Sequence, residues 1–245
     1  MIEQYNKARK NLLDHISNSG IAHHMFYGPT SHQFWDESFK LVAVNMEPYG
    51  YEQLGIYQVD RDELINWIYD AGNTRTKTTR YTMTILGAVL TCLQDGIAPS
   101  RELLRSIYKN CDKIEDTLDR TAYYNIRAQS NSSKPQDYAA ISEVGKTETG
   151  RLIWSEILSL NPDVIVVGGR AGLEAINRLL EHGKSLNFRN SLDYGALLIQ
   201  SITHPSRPAY NHWVDAIQNI LEWKKTKAEQ AGPGYPPQSV GSPDP

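Results

Sequence analysis

The sequence predicts a single α/β domain built on a parallel or mixed sheet, and a few local observations carry that expectation. The apolar run Val164-Ile165-Val166-Val167 is continuous, as in a strand covered on both faces. A helical pattern before it stops at Asn161-Pro162, and Gly168-Gly169 after it opens a second helical pattern. Helix, buried strand, glycine turn and helix in succession describe a sheet crossed by helices. With 245 residues, 40% apolar and 22% charged, the chain can bury a full core in one domain. Residues 1–228 are assigned to that domain, and the Gly/Pro-rich residues 229–245 to a disordered tail.

An amphipathic helix is expected over residues 2–17, with Leu12, Leu13 and Ile16 on one face. After a Gly/Pro/His-rich stretch at 20–32, residues 39–44 read as a strand leading into Asn45-Met46-Glu47-Pro48-Tyr49-Gly50. Pro48 disfavours helix at Glu47 and ends strand pairing, so the carboxylate belongs to a turn at the sheet's edge. Helices follow over 60–70 and over 81–93, the second from Met83, Leu86, Leu90 and Leu93 at three-to-four spacing. A short helix over 100–108 has Ser100 as its cap and Glu102 in its first turn.

Residues 121–126 are a second strand, opening into a polar loop at 127–136. Helix 148–160, strand 163–168 and helix 171–180 make the unit that opened the argument, with Gly183 as the last helix's stop. Strand 196–201 then delivers Thr203-His204-Pro205-Ser206-Arg207, and a final helix over 210–226 sets Trp213, Ile217, Ile220 and Leu221 on one side.

Composition removes several classes. A formal charge of -3, from 28 acidic and 25 basic side chains, gives no global positive field for nucleic acid. Arg75, Lys77 and Arg80 form a local basic stretch within 73–80, read as a solvated polar loop with phosphate contact as the rival. Cys92 and Cys111 match no metal signature and read as buried small residues, so neither a metal nor an iron–sulfur cluster is expected. No run approaches the roughly 20 apolar residues of a membrane span. The first residues are not a secretory signal, so an intracellular location, cytoplasm or nucleus, is expected without a membrane partner. The spacing Gly-x-Gly-x-x-Gly is absent around Gly168-Gly169-Arg170, which argues against a nucleotide-dependent dehydrogenase and for a tight strand-to-helix turn.

Three apolar runs end in polar groups: Glu47 after the first, Asn125 at the second, His204 with Ser206 after the last. In a parallel sheet such ends share one edge, where ligands collect. Each group has an ordinary alternative: Glu47 as a local cap, Asn125 bonded to its own loop, Ser206 capping the turn before the final helix.

In their order these segments resemble the uracil-DNA glycosylase superfamily. Asn45-Met46-Glu47-Pro48-Tyr49-Gly50 is similar to its first motif, Tyr123-Tyr124-Asn125-Ile126 to the strand presenting a base-reading Asn, and His204-Pro205-Ser206 to its last motif. The helix, strand and turn from Glu156 to Ala171 echo its third element, so the resemblance spans 41–213. It implies a three-layer α/β/α sandwich with a central, mostly parallel sheet. It also implies cleavage of the N-glycosidic bond of uracil or a related damaged base in DNA, without a cofactor. Glu47 and His204 would then be catalytic, the first orienting water and the second bonding the departing base's oxygen. Asn125, Tyr49, Asn45 and Met46 would form the base pocket, with Tyr51, Tyr57 or Phe34 as a further stacking ring. Ser206 and Arg207 would contact a flanking phosphate.

The chain departs from the family pattern in three places. Asn45 replaces a glycine, Glu47 is a methylene longer than the common aspartate, and Arg207 follows the serine. These departures sustain a rival expectation, a non-catalytic nucleobase- or nucleic-acid-binding protein with a glycosylase-like pocket.

Overall fold

The computed structural model of the protein describes residues 1–19, 24–46, 56–69, 74–127, 138–180, 183–205 and 208–231. The first part comprises α1 (Ile2–Asn18), β1 (His24–Phe26), β2 (Gly28–Pro29), α2 (Gln33–Asp36), β3 (Leu41–Asn45) and β4 (Ile56–Gln58). Four helices follow, α3 (Arg61–Tyr69), α4 (Thr74–Asp95), α5 (Arg101–Lys109) and α6 (Cys111–Arg120), leading into β5 (Ala122–Asn125). Then come α7 (Tyr138–Glu143), a short 3-10 turn (Val144–Lys146), α8 (Glu148–Ser159), β6 (Val164–Gly168) and α9 (Arg170–Leu179). Strands β7 (Ser191–Tyr194) and β8 (Leu197–Ile202) precede the last helix, α10 (Tyr210–Ala231).

Six strands form the main sheet in the order β2-β5-β3-β6-β8-β7, and β1 pairs with β4 separately. The inner four, β5, β3, β6 and β8, run parallel, while β2 and β7 are antiparallel edges. Along β3 the side chains alternate between two clusters. Leu41 and Ala43 pack with residues of α3, α4, α5, α6 and α10. Val42 and Val44 pack with residues of α1, α8 and α9. Both faces are therefore covered, which is why these strands are apolar throughout rather than alternating.

Capping fixes where several helices begin. The Ser100 hydroxyl accepts from Leu103 N, Asn110 Oδ1 from Lys113 N and the Thr147 hydroxyl from Gly150 N, each satisfying an otherwise orphaned donor.

Several sequence expectations change here. Residues 74–80 are helical rather than a loop, residue 73 lying outside the described residues: α4 begins at Thr74, and Arg80 donates through Nε (3.0 Å) and Nη2 (2.7 Å) to the Tyr108 carbonyl while lying over that ring. Cys92 is buried as expected, but Cys111 is exposed, because it occupies the first position of α6 beyond its cap. The final helix runs to Ala231, past the expected tail boundary at 229; residues 232–245 lie outside the described residues. So does most of the polar loop at 127–136. No described helix is long and apolar enough to cross a membrane.

Candidate functional site

Chain order reverses at the middle of the sheet. From β3 the chain reaches its next parallel strand, β5, on one side, and then places β6 and β8 on the other. The region beyond the C-terminal ends of β3 and β6 is thus a topological switch point, where the two connections diverge and where ligands of open α/β sheets collect. Asn45 ends β3, Gly168 ends β6, Asn125 ends β5, and His204 lies two residues beyond β8.

Asn45 and Asn125 are direct partners in the parallel register, so both amides issue from the same face of the sheet. Both are buried, at 3% and 6% exposure, so their amide groups need partners. Asn45 Nδ2 donates to the Thr82 hydroxyl at 3.2 Å, and Thr82 in turn donates to the Thr78 carbonyl at 2.8 Å. Burial pushes the Tyr123 phenol upward, while hydrogen bonds with Thr79 and Asn45 pull the other way. Tyr123 therefore remains protonated at neutral pH. The first turns of α4 and the end of β3 are consequently joined by a buried polar chain.

Two glycines let the strand ends close up. A Cβ on Gly168 would lie 2.3 Å from Asn45 Oδ1 and 3.1 Å from Pro205 Cδ. Gly169, at φ +85°, presents its missing Cβ to His204 Cδ2 at 3.1 Å and Met46 Sδ at 3.2 Å. A side chain there would meet both contacts in backbone that L-residues rarely adopt. The turn after β6 is therefore the surface on which Met46, from the β3 end, and His204, from the β8 end, converge. Gly169 N also donates to the Ile202 carbonyl at 3.1 Å, and Arg127 N to the Met46 carbonyl at 3.1 Å, fixing the neighbouring ends.

His204 is half-buried, and desolvation pulls its pKa down to about 4. At neutral pH it is an uncharged imidazole with one N–H to donate and one nitrogen to accept. Trp213 Nε1 donates to the Thr203 hydroxyl at 3.2 Å, which ties the segment before His204 to α10.

The structure thus sets Met46 and His204 against Gly169 and Asn45 against Gly168, with Asn125 on the neighbouring strand end as the register partner of Asn45. Glu47, Tyr49, Ser206 and Arg207 lie outside the described residues, as does Tyr51. Of the other stacking candidates, Tyr57 is on β4 and Phe34 is fully buried in the core. Sequence reading missed Thr82, which meets Asn45 across 37 residues of chain, and Tyr123, which hydrogen-bonds with Thr79 and Asn45 from β5. The one signal available was the run of threonines at 74–84. A small cavity of about 120 Å³ lies elsewhere, between α4 and α6 beside Arg120 and Lys113, and none of the candidate residues lines it. Among the described residues no group of acidic, histidine or cysteine side chains could hold a metal ion.

No protein-family model matches the chain, and no curated protein is significantly similar to it.

Proposed function

We propose that the chain is a DNA glycosylase that hydrolyses the N-glycosidic bond of uracil or a related damaged base. The observation that supports this reading is the approach of Met46 and an uncharged His204 to Gly169 at the switch point, with Asn125 at the end of the next strand but one from β6 and Glu47 following Met46 directly in the chain. Those groups come from three strand ends far apart in sequence.

In this reading the target base leaves the stack and enters the crevice. Asn125 offers a donor and an acceptor side by side, the complement of a uracil edge with its N–H and carbonyl. As the bond from the sugar's anomeric carbon to the base nitrogen breaks, its electron pair moves onto the base and charge collects on the carbonyl oxygen. His204, neutral because it is desolvated, donates its N–H there, a contact stronger in the transition state than in the bound substrate. Glu47 orients a water toward the anomeric carbon, accepts its proton as the new carbon–oxygen bond forms, and favours the developing oxocarbenium charge. Tyr49 bounds the pocket against a methylated base, and Ser206 with Arg207 holds a flanking phosphate.

The variants Glu47→Gln and His204→Ala test these roles. On uracil-containing single- and double-stranded oligonucleotides, both are expected to lose cleavage, with cooperative unfolding retained. Cleavage at the wild-type rate in either variant contradicts the role given to that residue.

A second reading, binding without chemistry, is favoured by Asn45, whose amide oxygen occupies the space beside Gly168. It predicts saturable nucleobase or oligonucleotide binding that Asn125→Ala weakens and Glu47→Gln spares, with no cleavage by the wild type.

A further inference from the structure

The β7–β8 hairpin brings a second group of side chains to the same edge of the sheet. Ser191 pairs with Gln200, so the chain preceding β7, residues 187–190, lies at the C-terminal end of β8. Ser201 N donates to the Asn190 carbonyl at 2.9 Å, and Arg189 N donates to the Ser201 hydroxyl at 3.3 Å. Arg189 is held there at φ +65°, a left-handed backbone that non-glycine residues seldom adopt. Asn161 shares that conformation at φ 50°, but it follows the end of α8, where a left-handed Asn is ordinary. Arg189 terminates no helix.

The left-handed residue closes the turn 187–190, in which Asn190 N donates to the Asn187 carbonyl at 3.1 Å, and the same turn sets two cationic side chains on one ring. Phe188 is half-buried against the core cluster beneath α9, and its ring carries two guanidiniums, Arg170 at 5.2 Å and Arg189 at 5.1 Å from the centroid. Arg170 directly follows Gly169, the residue that His204 and Met46 contact. Both arginines are exposed, and among the described residues neither pairs with a carboxylate. Two guanidiniums on one ring concentrate positive charge locally, and a nearby anion neutralises it. With the ring committed to cations, the group suits phosphates rather than stacking on a base.

We infer that Arg170, Phe188 and Arg189 form a phosphodiester-contacting platform that holds a DNA strand on the α9 side of the pocket. This inference rests on the glycosylase reading for the identity of its partner. It supplies what the net charge of -3 does not, a local attraction for the strand beside the base pocket.

The test uses the full chain, a labelled single-stranded oligonucleotide without any damaged base, and fluorescence anisotropy over a series of salt concentrations. Arg170→Gln and Arg189→Asn remove the charges, and asparagine tolerates the left-handed backbone. The double variant is expected to bind about 10-fold more weakly at low salt. Its log–log salt slope should be shallower by about 1.4, that is about 0.7 for each phosphate contact to a single strand. The control Lys113→Gln, on α6, should change neither quantity. Unchanged affinity and slope in the double variant overturn the platform, as do an equal loss in the control, no binding by the wild type, or equally tight binding to polyglutamate. These outcomes are separable from the enzyme reading, because binding is measured on DNA with nothing to cleave. Wild-type protein that binds with the expected slope but cleaves no substrate supports the platform and removes the glycosylase.

Discussion

His204 gives up solvation to sit against Gly169, and that sets both its chemistry and a measurable pH dependence. Its pKa in the folded chain is about 4, below the usual 6.5 that the unfolded chain regains. Between those values the unfolded state takes up a proton that the folded state does not. The contribution of His204 to stability is therefore fully present above about pH 6.5 and is lost as the pH falls toward 4. Urea unfolding at about pH 7 and about pH 4.5 should show a smaller drop in stability for His204→Gln than for the wild type; an equal drop refutes the assignment. His204 and Asn125 were legible in the sequence because each follows an apolar run. Asn45 was legible as a departure from a motif, but its bond to Thr82 was not, since nothing local announces a contact between a strand end and a helix 37 residues later. The Arg189 backbone was equally hidden, because it arises from a hairpin the sequence did not suggest.

Helix α4 shows why an element's core is easier to read than its beginning. Its apolar spacing starts at Tyr81, so the sequence marks the later turns and predicts a polar loop over 73–80. Threonine has modest helix propensity, and nothing in the local pattern reveals the tertiary contacts that sustain those early turns. Thr82 and Thr84 return hydrogen bonds to the carbonyls four residues earlier, and Arg80 anchors to Tyr108. Thr82→Val keeps the shape but removes the acceptor for the buried Asn45 amide. A loss of about 1–3 kcal/mol is expected in chemical denaturation; no measurable loss would show that the amide finds another partner. Helix α6 was missed for a related reason: between Asn110 and Arg120 only Ile114 and Leu118 are large and apolar, so the periodic signal is short. Strand β7 was missed because its side chains lie at an exposed edge, with no apolar run to mark it.

At the scale of the whole molecule, a second polar group binds the N-terminal helix to the sheet on the face opposite Asn125. Arg9 pairs with the fully buried Glu156 at 2.9 Å, and the Tyr124 hydroxyl donates to Glu156 at 2.8 Å. Arg9 also donates to the Tyr5 hydroxyl at 2.6 Å and to the Tyr27 carbonyl. Burial raises the Glu156 carboxyl, and Arg9 and Tyr124 oppose it, so the pair holds together at a desolvation cost. Removing one partner leaves the other charge buried. Glu156→Leu or Arg9→Met should each cost about 3–5 kcal/mol in urea unfolding, and the combined Arg9→Met/Glu156→Leu change much less. Additive losses in the combined variant would show that the charges do not act as a pair. Because Tyr124 on β5 and Asn45 at the end of β3 point to opposite faces, this group and the Asn45–Thr82 chain hold two adjacent strands from opposite sides of the sheet.

The base-excision site proposed for these strand ends is tested by incubating the wild-type protein with DNA containing uracil, hypoxanthine, xanthine or a thymine mismatch, followed by alkaline cleavage at abasic sites. Alkali-labile sites are expected at uracil or at another of these bases, and none with Glu47→Gln. Intact DNA across the whole panel contradicts it.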